Sequence, residues 1–370
     1  MKRVLPYFFI SVAFLGLLVV KFPSIFSYKF SQDTVKNYLK SQDIEDPKGF
    51  ITDRVIMSDS DTYSVAGYLY AKGEDPTKYN FQHPPLIKYL FGFSILLVGN
   101  PFYVQIIFGL MLLFLTYLLG TKILKNRLLA LVPVLLLLID PLFGSQMTET
   151  LLDPGQAVFA LGYITLMLLY PESYILQGLV LGLFVASKFW STVIIFVFLI
   201  YTYKIFLLKE KINYKKIVIS LLLAFFVFSV TYLKTFIVRG AGFIPHQAGG
   251  AGFNIFLLLA KEMKYMLAHD SAGAFGGTIL LFFRGYILWP VSLLAGIYLM
   301  LKTKVKDVWF FLLMLPIVYL FSLSTALPFT RYFLIILPFL YINIIHFYEF
   351  FVDKGPPCTS GGGGSGGGAG

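Results

Sequence analysis

Apolar runs alternate with short polar stretches along most of this chain. Leu128 to Leu138 and Ile217 to Val230 are apolar on every helical face. Such segments suit lipid better than a half-solvated core. The first apolar segment, Val4 to Val20, follows Met-Lys-Arg, and the KFPSIFSYKF after it offers no clear small-residue cleavage site, so it predicts an uncleaved anchor. Further spans are expected near 101–121, 128–145, 154–170, 174–188, 190–206, 215–236, 277–300, 308–326 and 332–351. Several are shorter than the ~20 residues of a straight crossing, yet together with the first they predict an all-α polytopic bundle of about ten transmembrane helices.

The longest polar stretch runs from about Ser27 to Pro85 and is nearly balanced in charge, so it exerts no orienting pull. It ends in YNFQHPPLIKYLFGF, where two prolines precede the apolar run Leu86 to Val98. That run is about 13 residues long, short for a crossing, and predicts an interfacial or re-entrant helix whose first turn tolerates the prolines.

Composition agrees with this pattern. The chain is 58% hydrophobic and 13% charged, against roughly 25% charged residues in soluble domains. The net charge of +11 comes from basic residues clustered between apolar runs, an orientation signal rather than a nucleic-acid surface. With the N-terminus cytoplasmic, KILKNR, KIFLLKEKINYKK and LKTKVKD all fall on the cytoplasmic side. Cys358 is the single cysteine, which excludes an intrachain disulfide and a cysteine-based metal cluster. The tail GPPCTSGGGGSGGGAG reads as a flexible linker or artefact (355–370), which leaves 1–354 as one membrane domain with its first outer loop and interfacial helices at 27–100.

Candidate chemistry collects on the outer side. Asp59 and Asp61 open a predicted helix, where carboxylates serve either as caps or as a general base for an acceptor hydroxyl. Asp153 stands before Pro154 at the start of a span, again as a cap, a sugar contact or a metal ligand. His83 is either a structural hydrogen-bonder or part of the site. Arg331 begins a late span, where it can snorkel to headgroups or bind a lipid phosphate; Lys188, Arg239 and Arg284 compete for that job. The Gly-rich RGAGFIPHQAGGAGFN has neither P-loop nor dinucleotide spacing.

In order, SDSDTYSVAGYLY…HPPL, TETLLDPGQAVFALGYITLML, GLVLGLFVASKFW and PFTRYFLIILPFL resemble blocks of the dolichyl-phosphate-mannose–protein mannosyltransferase superfamily, membrane glycosyltransferases of the GT-C fold. The resemblance covers roughly 57–200 and 324–340. It implies a GT-C-like bundle that transfers mannose or another hexose or pentose, with inversion, from a polyprenyl-phosphate donor in the bilayer to a protein, lipid or glycan acceptor outside. It implies an Asp base: the family's acidic pair is usually Asp-Glu, here Asp59-Ser60-Asp61, and Tyr63 matches the family's aromatic if Asp59 leads, with Asp61 in reserve. Tyr63, Tyr79, His83 and Asp153 would then contact acceptor or sugar, and Arg331, Lys188 and Arg239 the lipid phosphate. No cofactor is implied; were a divalent metal used, Asp59 and Asp153 are its candidate ligands. The large outer domain of many members is not expected here. The rival readings are a transporter or lipid flippase, disfavoured by the lack of an inverted repeat, and a non-catalytic membrane subunit.

Overall fold

The computed structural model describes residues 4–41, 57–207, 209–211, 213–240, 252–269, 276–302, 308–324 and 327–354. The charged positions 43–54, most of the Gly-rich stretch, the basic residues at 303–307 and the tail from 355 lie outside them. Among the described residues the regular structure is helical, as the apolar periodicity predicts.

The chain opens with α1 (Leu5–Lys21), the short α2 (Ser24–Ser27) and α3 (Gln32–Ser41). Ile10, Phe14 and Leu18, spaced four apart, form the buried stripe of α1, while Phe8, Phe9, Val12, Val19 and Val20 are exposed apolar side chains that lipid would cover. Next come α4 (Asp59–Ala71) and α5 (Leu86–Val98). Ser58 caps α4 by accepting from the Asp61 N–H at 3.1 Å, and Asp59 and Asp61 stand in its positive first turn. Pro85 precedes α5, and Gly99 ends it in the left-handed conformation at φ 75°.

α4 and α5 pack backbone to backbone. A Cβ on Gly67 would stand 2.0 Å from the Lys88 carbonyl oxygen, and one on Gly92 would stand 1.9 Å from that of Gly67. Only glycine allows this approach, and the contact fixes where the acidic start of α4 lies relative to the His-Pro-Pro turn.

The bundle continues with α6 (Phe102–Ile123), α7 (Leu131–Ile139), α8 (Pro141–Met147), α9 (Asp153–Leu169), α10 (Tyr174–Val185) and α11 (Trp190–Thr202), which runs on into a π-turn at Tyr203–Leu207. α12 (Tyr214–Val230) and α13 (Leu233–Arg239) meet at 63°, and α14 (Ile255–His269) follows. α15 (Gly277–Arg284) and α16 (Leu288–Lys302) meet at 99°. α17 (Val308–Ser322), a 3₁₀ turn at Thr330–Ile335 and α18 (Leu337–Lys354) complete the fold. One apolar core runs through α1, α6, α9 and α18 and takes in α10, α11, α15, α16 and α17. Gly178 and Gly182 bring α10 against Ser220 and Ala224 of α12, the small-residue seam by which helices associate in lipid.

Several expected spans are not single straight helices. The segment 128–145 breaks at Asp140, whose carboxylate caps α8 through the Leu142 and Phe143 N–H groups and accepts from Trp289 Nε1 at 2.8 Å and from the Tyr341 hydroxyl. That buried acid trades a helical turn for a joint between α8, α16 and α18. The segments 215–236 and 277–300 are the two bent pairs. Among the described residues, by length and composition α6 alone suffices for a crossing, and each bent pair does so if it counts as one span; α1, α5, α9, α10, α11 and α18 are shorter apolar helices.

The glycine contact between α4 and α5 is directly testable. Overpacking against backbone costs about 1–3 kcal/mol or more. Gly67→Ala is expected to lower the thermal unfolding midpoint in detergent by several degrees, while Gly16→Ala, which meets nothing within 4 Å, leaves it unchanged.

Candidate active site

Residues distant in sequence meet where α4, the His-Pro-Pro turn, the start of α9, the α10–α11 turn and the 3₁₀ turn converge. Asp59, at the first position of α4, accepts from Arg331 Nη1 at 2.6 Å. The Asp59 side chain is 49% exposed and that of Arg331 only 17%, so the pair stands at the rim with the guanidinium reaching inward. Asp153, in the first turn of α9, pairs with Lys188 Nζ at 2.6 Å. This second pair is buried, with side-chain exposures of 5% and 2%. The four charges sum to zero, two carboxylates against two cations.

Aromatic rings link the pairs. Lys188 Nζ lies 5.0 Å from the Phe189 ring centroid and 4.9 Å from that of Tyr332; the Arg331 guanidinium lies 4.5 Å from Phe329 and 5.9 Å from Tyr332. These are cation–π distances, and they hold the cations without consuming their hydrogen-bond donors. The His83 ring stands between Phe189, at 4.7 Å, and Tyr63, at 5.8 Å, edge to face with both. Burial, then the neighbouring Lys88, Lys188 and Arg331, pushes the His83 imidazole well below its usual range, so it is neutral at pH 7.

Three buried polar atoms here have no protein partner: His83 Nδ1, Asp153 Oδ2 and Arg331 Nε. Buried polar groups are otherwise almost always satisfied. A cluster with spare donors and acceptors is suited to taking a polar ligand.

The scaffold beneath is cross-tied. Thr150 Oγ1 shares hydrogen bonds of 2.7 Å with both Ser60 Oγ and Ser64 Oγ, and its N–H donates to Ser60 Oγ at 2.9 Å. Gln105 Nε2 donates to the Glu149 and Leu151 carbonyls, and Gln156 Nε2 to that of Phe189 at 3.3 Å. The block around Asp153 is thereby fastened to the start of α4 on one side and to the Lys188 turn on the other.

Of the residues expected from sequence, Asp59, Tyr63, His83, Asp153, Lys188 and Arg331 come together. Asp61 is engaged in the cap, its Oδ2 accepting from Ser58 Oγ at 2.8 Å. Tyr79 packs on Tyr38 at 6.4 Å, and its carbonyl accepts from the Tyr70 hydroxyl. Arg239 pairs with Asp75 at 2.7 Å, an acid that Thr235 also contacts at 2.7 Å, so it ties α13 to the segment between α4 and α5. Among the described residues no three His, Cys, Asp or Glu side chains converge on a common metal position; Asp59 and Asp153 each face a cation instead. The sequence reading missed Tyr332, Thr150 and Lys88. Lys88 had left a signal, as the lone cation in an otherwise apolar helix.

No protein-family model and no curated protein matches the chain. Its fold does match solved structures. ArnT from Cupriavidus metallidurans in the apo state aligns with a TM-score of 0.59 at 13% identity, over 80% of this chain and 56% of that one. ArnT bound to undecaprenyl phosphate aligns with a TM-score of 0.62 at 12% identity, over 86% of this chain and 59% of that one. The chain thus spans less than two thirds of the length of ArnT. At such identities the likeness establishes the fold, and the expected GT-C architecture is the one observed.

The buried pair yields a stability prediction. Removing one partner of a buried ion pair costs about 3–5 kcal/mol because the other charge is stranded. Lys188→Met is expected to destabilise the protein by that amount in denaturant unfolding, and adding Asp153→Asn is expected to restore much of it. Equal stability of wild type and Lys188→Met would show that the pair carries no structural weight.

Proposed function

We propose that this protein is an integral-membrane glycosyltransferase that moves a sugar from a polyprenyl-phosphate donor to an acceptor hydroxyl, with Asp59 as general base. The observation that carries this reading is the meeting of a rim carboxylate, Asp59, with two cations, Arg331 and Lys188, around a neutral, partly unsatisfied His83. Base and anion-binding groups stand side by side, as a displacement that releases phosphate requires. The GT-C fold supports it, as does the undecaprenyl phosphate bound by the structurally similar ArnT.

The chemistry is one displacement. The acceptor oxygen attacks the anomeric carbon while Asp59 takes its proton. The bond from that carbon to the phosphate oxygen breaks from the opposite face, the electron pair leaves with the phosphate, and the configuration inverts. Arg331 and Lys188 stabilise the charge that gathers on the leaving phosphate. In the ligand-free site Arg331 engages Asp59. A donor phosphate competes for the guanidinium and so frees the carboxylate to act as base. Tyr63, His83 and Asp153, gathered beside the two cations, are the side chains proposed to meet sugar and acceptor.

A place for the lipid tail lies next to the cations. An apolar cavity of about 410 Å³ between α10, α11 and α12 is lined by Leu181, Val185, Trp190, Val193, Leu221 and Phe228. Trp190 is two residues from Lys188, so an isoprenoid chain seated there would carry its phosphate to the cluster.

Helix directions favour an outward-facing site. α9 begins at Asp153 and runs 17 residues, about 25 Å, to the neighbourhood of Glu172, where Lys204, Lys211 and Lys216 line a polar pocket. α18 follows the turn bearing Arg331 and carries Glu349 to the Lys125 and Asn126 N–H groups near its far end. Both helices lead from the site to basic loops, which the positive-inside rule assigns to the cytoplasm.

The test is transfer in lipid vesicles from a panel of radiolabelled undecaprenyl-phosphate sugars to membrane acceptors. Wild type is expected to use at least one donor, and Asp59→Asn to lose about 10²–10⁴-fold in rate. Arg331→Gln is expected to lose about 10²–10³-fold. Absence of transfer from every donor would contradict the assignment, and full activity of Asp59→Asn would remove Asp59 as the base.

A further inference from the structure

Lys88 is a buried ammonium outside the charge cluster. It lies in the first turn of α5 and has no solvent exposure. Its Nζ donates to the Asn80 carbonyl at 2.5 Å, to Asn80 Oδ1 at 2.8 Å and to the His83 carbonyl at 2.8 Å. An ammonium carries three protons, so all its donors are used. Asn80 sits at φ 42°, a left-handed conformation that costs a non-glycine residue energy, and Lys88 takes both of its oxygens.

The same residue touches the helix pair through its other end. Its carbonyl lies against Gly67, in the close approach of α4 to α5. Tyr70 of α4, whose ring lies 5.7 Å from Nζ, donates its hydroxyl to the Pro76 carbonyl at 3.2 Å and to that of Tyr79. From the far side, α14 contributes buried Glu262, held by the Tyr232 hydroxyl at 3.1 Å, and Lys261, whose Nζ lies 4.0 Å from the Phe81 ring centroid. The turn therefore closes around a fully buried side chain whose Nζ meets three oxygens.

We infer that Lys88 is a positioning residue of the transferase site: by holding the His83 carbonyl and both Asn80 oxygens, it sets where the His83 ring stands between Tyr63 and Phe189. The inference rests on the glycosyltransferase reading for its consequence in catalysis, though not for the geometry. A lysine suits the position because its compact ammonium meets three converging oxygens, whereas a planar guanidinium spreads its donors. Methionine keeps the stem and leaves three acceptors unpaired.

Two readouts test this on the full-length protein in lipid. The first is a double-mutant cycle in kcat/KM for sugar transfer. If Lys88 acts through His83, Lys88→Met and His83→Ala each cost about tenfold or more, and adding Lys88→Met to His83→Ala costs no more than about threefold further. Additive losses overturn the inference. The second readout needs no activity: the rate at which diethyl pyrocarbonate modifies His83, followed by mass spectrometry of its peptide. Slow modification in wild type and at least about tenfold faster modification in Lys88→Met is expected, because a buried ring is released; equal rates overturn the inference. Should Lys88→Met not fold, Asn80→Gly, which permits the left-handed backbone and removes one acceptor, is expected to shift both readouts the same way by less. A wild type that transfers nothing would sink the glycosyltransferase reading, while the modification rates would still decide whether Lys88 fixes His83.

Discussion

A charge buried among apolar helices must find its opposite, and this constraint organises the end of the bundle where Asp59, Asp153, Lys188 and Arg331 meet. Asp153 and Lys188 can be 5% and 2% exposed only because they meet at 2.6 Å. The meeting requires the start of α9 and the turn before α11 to lie side by side. Arg331 then reaches from the 3₁₀ turn to Asp59 on α4, so a third and a fourth element are drawn to the same place. Phe189 and Tyr332 fill the space between the cations and face both helices and turns with rings. The glycine contact of α4 with α5 and the Ser60–Thr150–Ser64 knot set the distances at which these pairs can form.

The same arrangement gives the resting site a built-in competition. Arg331 neutralises Asp59 in the absence of ligand, and an arriving phosphate presents a stronger, bidentate partner. On the proposed glycosyltransferase reading, binding the leaving group and releasing the base would become one event, which would protect the carboxylate from acting before a donor is in place. His83, kept uncharged by burial and by three nearby cations, adds a hydrogen-bonding group without a further positive charge. The apolar cavity beside Trp190 and the exposed apolar surface of α1 and α5 would put the proposed chemistry within reach of a lipid donor.

Much of this was legible in the residue order, and the reasons for success and failure are physical. Asp59 and Asp153 could be found because helix starts attract carboxylates, and the two open α4 and α9. His83 followed from the prolines beside it. Arg331 and Lys188 could be named as cations near the site, but nothing local separates them from Arg239, whose partner Asp75 lies 164 positions away in sequence. Tyr79 shares a loop with His83, but the left-handed Asn80 between them turns the chain and Tyr79 packs on Tyr38 instead. The break at Asp140 was hidden for a similar reason: its partners Trp289 and Tyr341 come from the other end of the chain. Lys88 left only the signal of a lone cation in an apolar helix, since the fold alone shows that it meets three oxygens.

The most direct measurement is an electron cryo-microscopy structure of the protein in lipid with undecaprenyl phosphate bound. The account predicts phosphate density against Arg331 and Lys188, the isoprenoid chain running past Trp190, and the Arg331 guanidinium turned from Asp59 towards the phosphate. Phosphate bound elsewhere, with the Arg331–Asp59 pair still closed at the 2.6 Å of the free site, would contradict it.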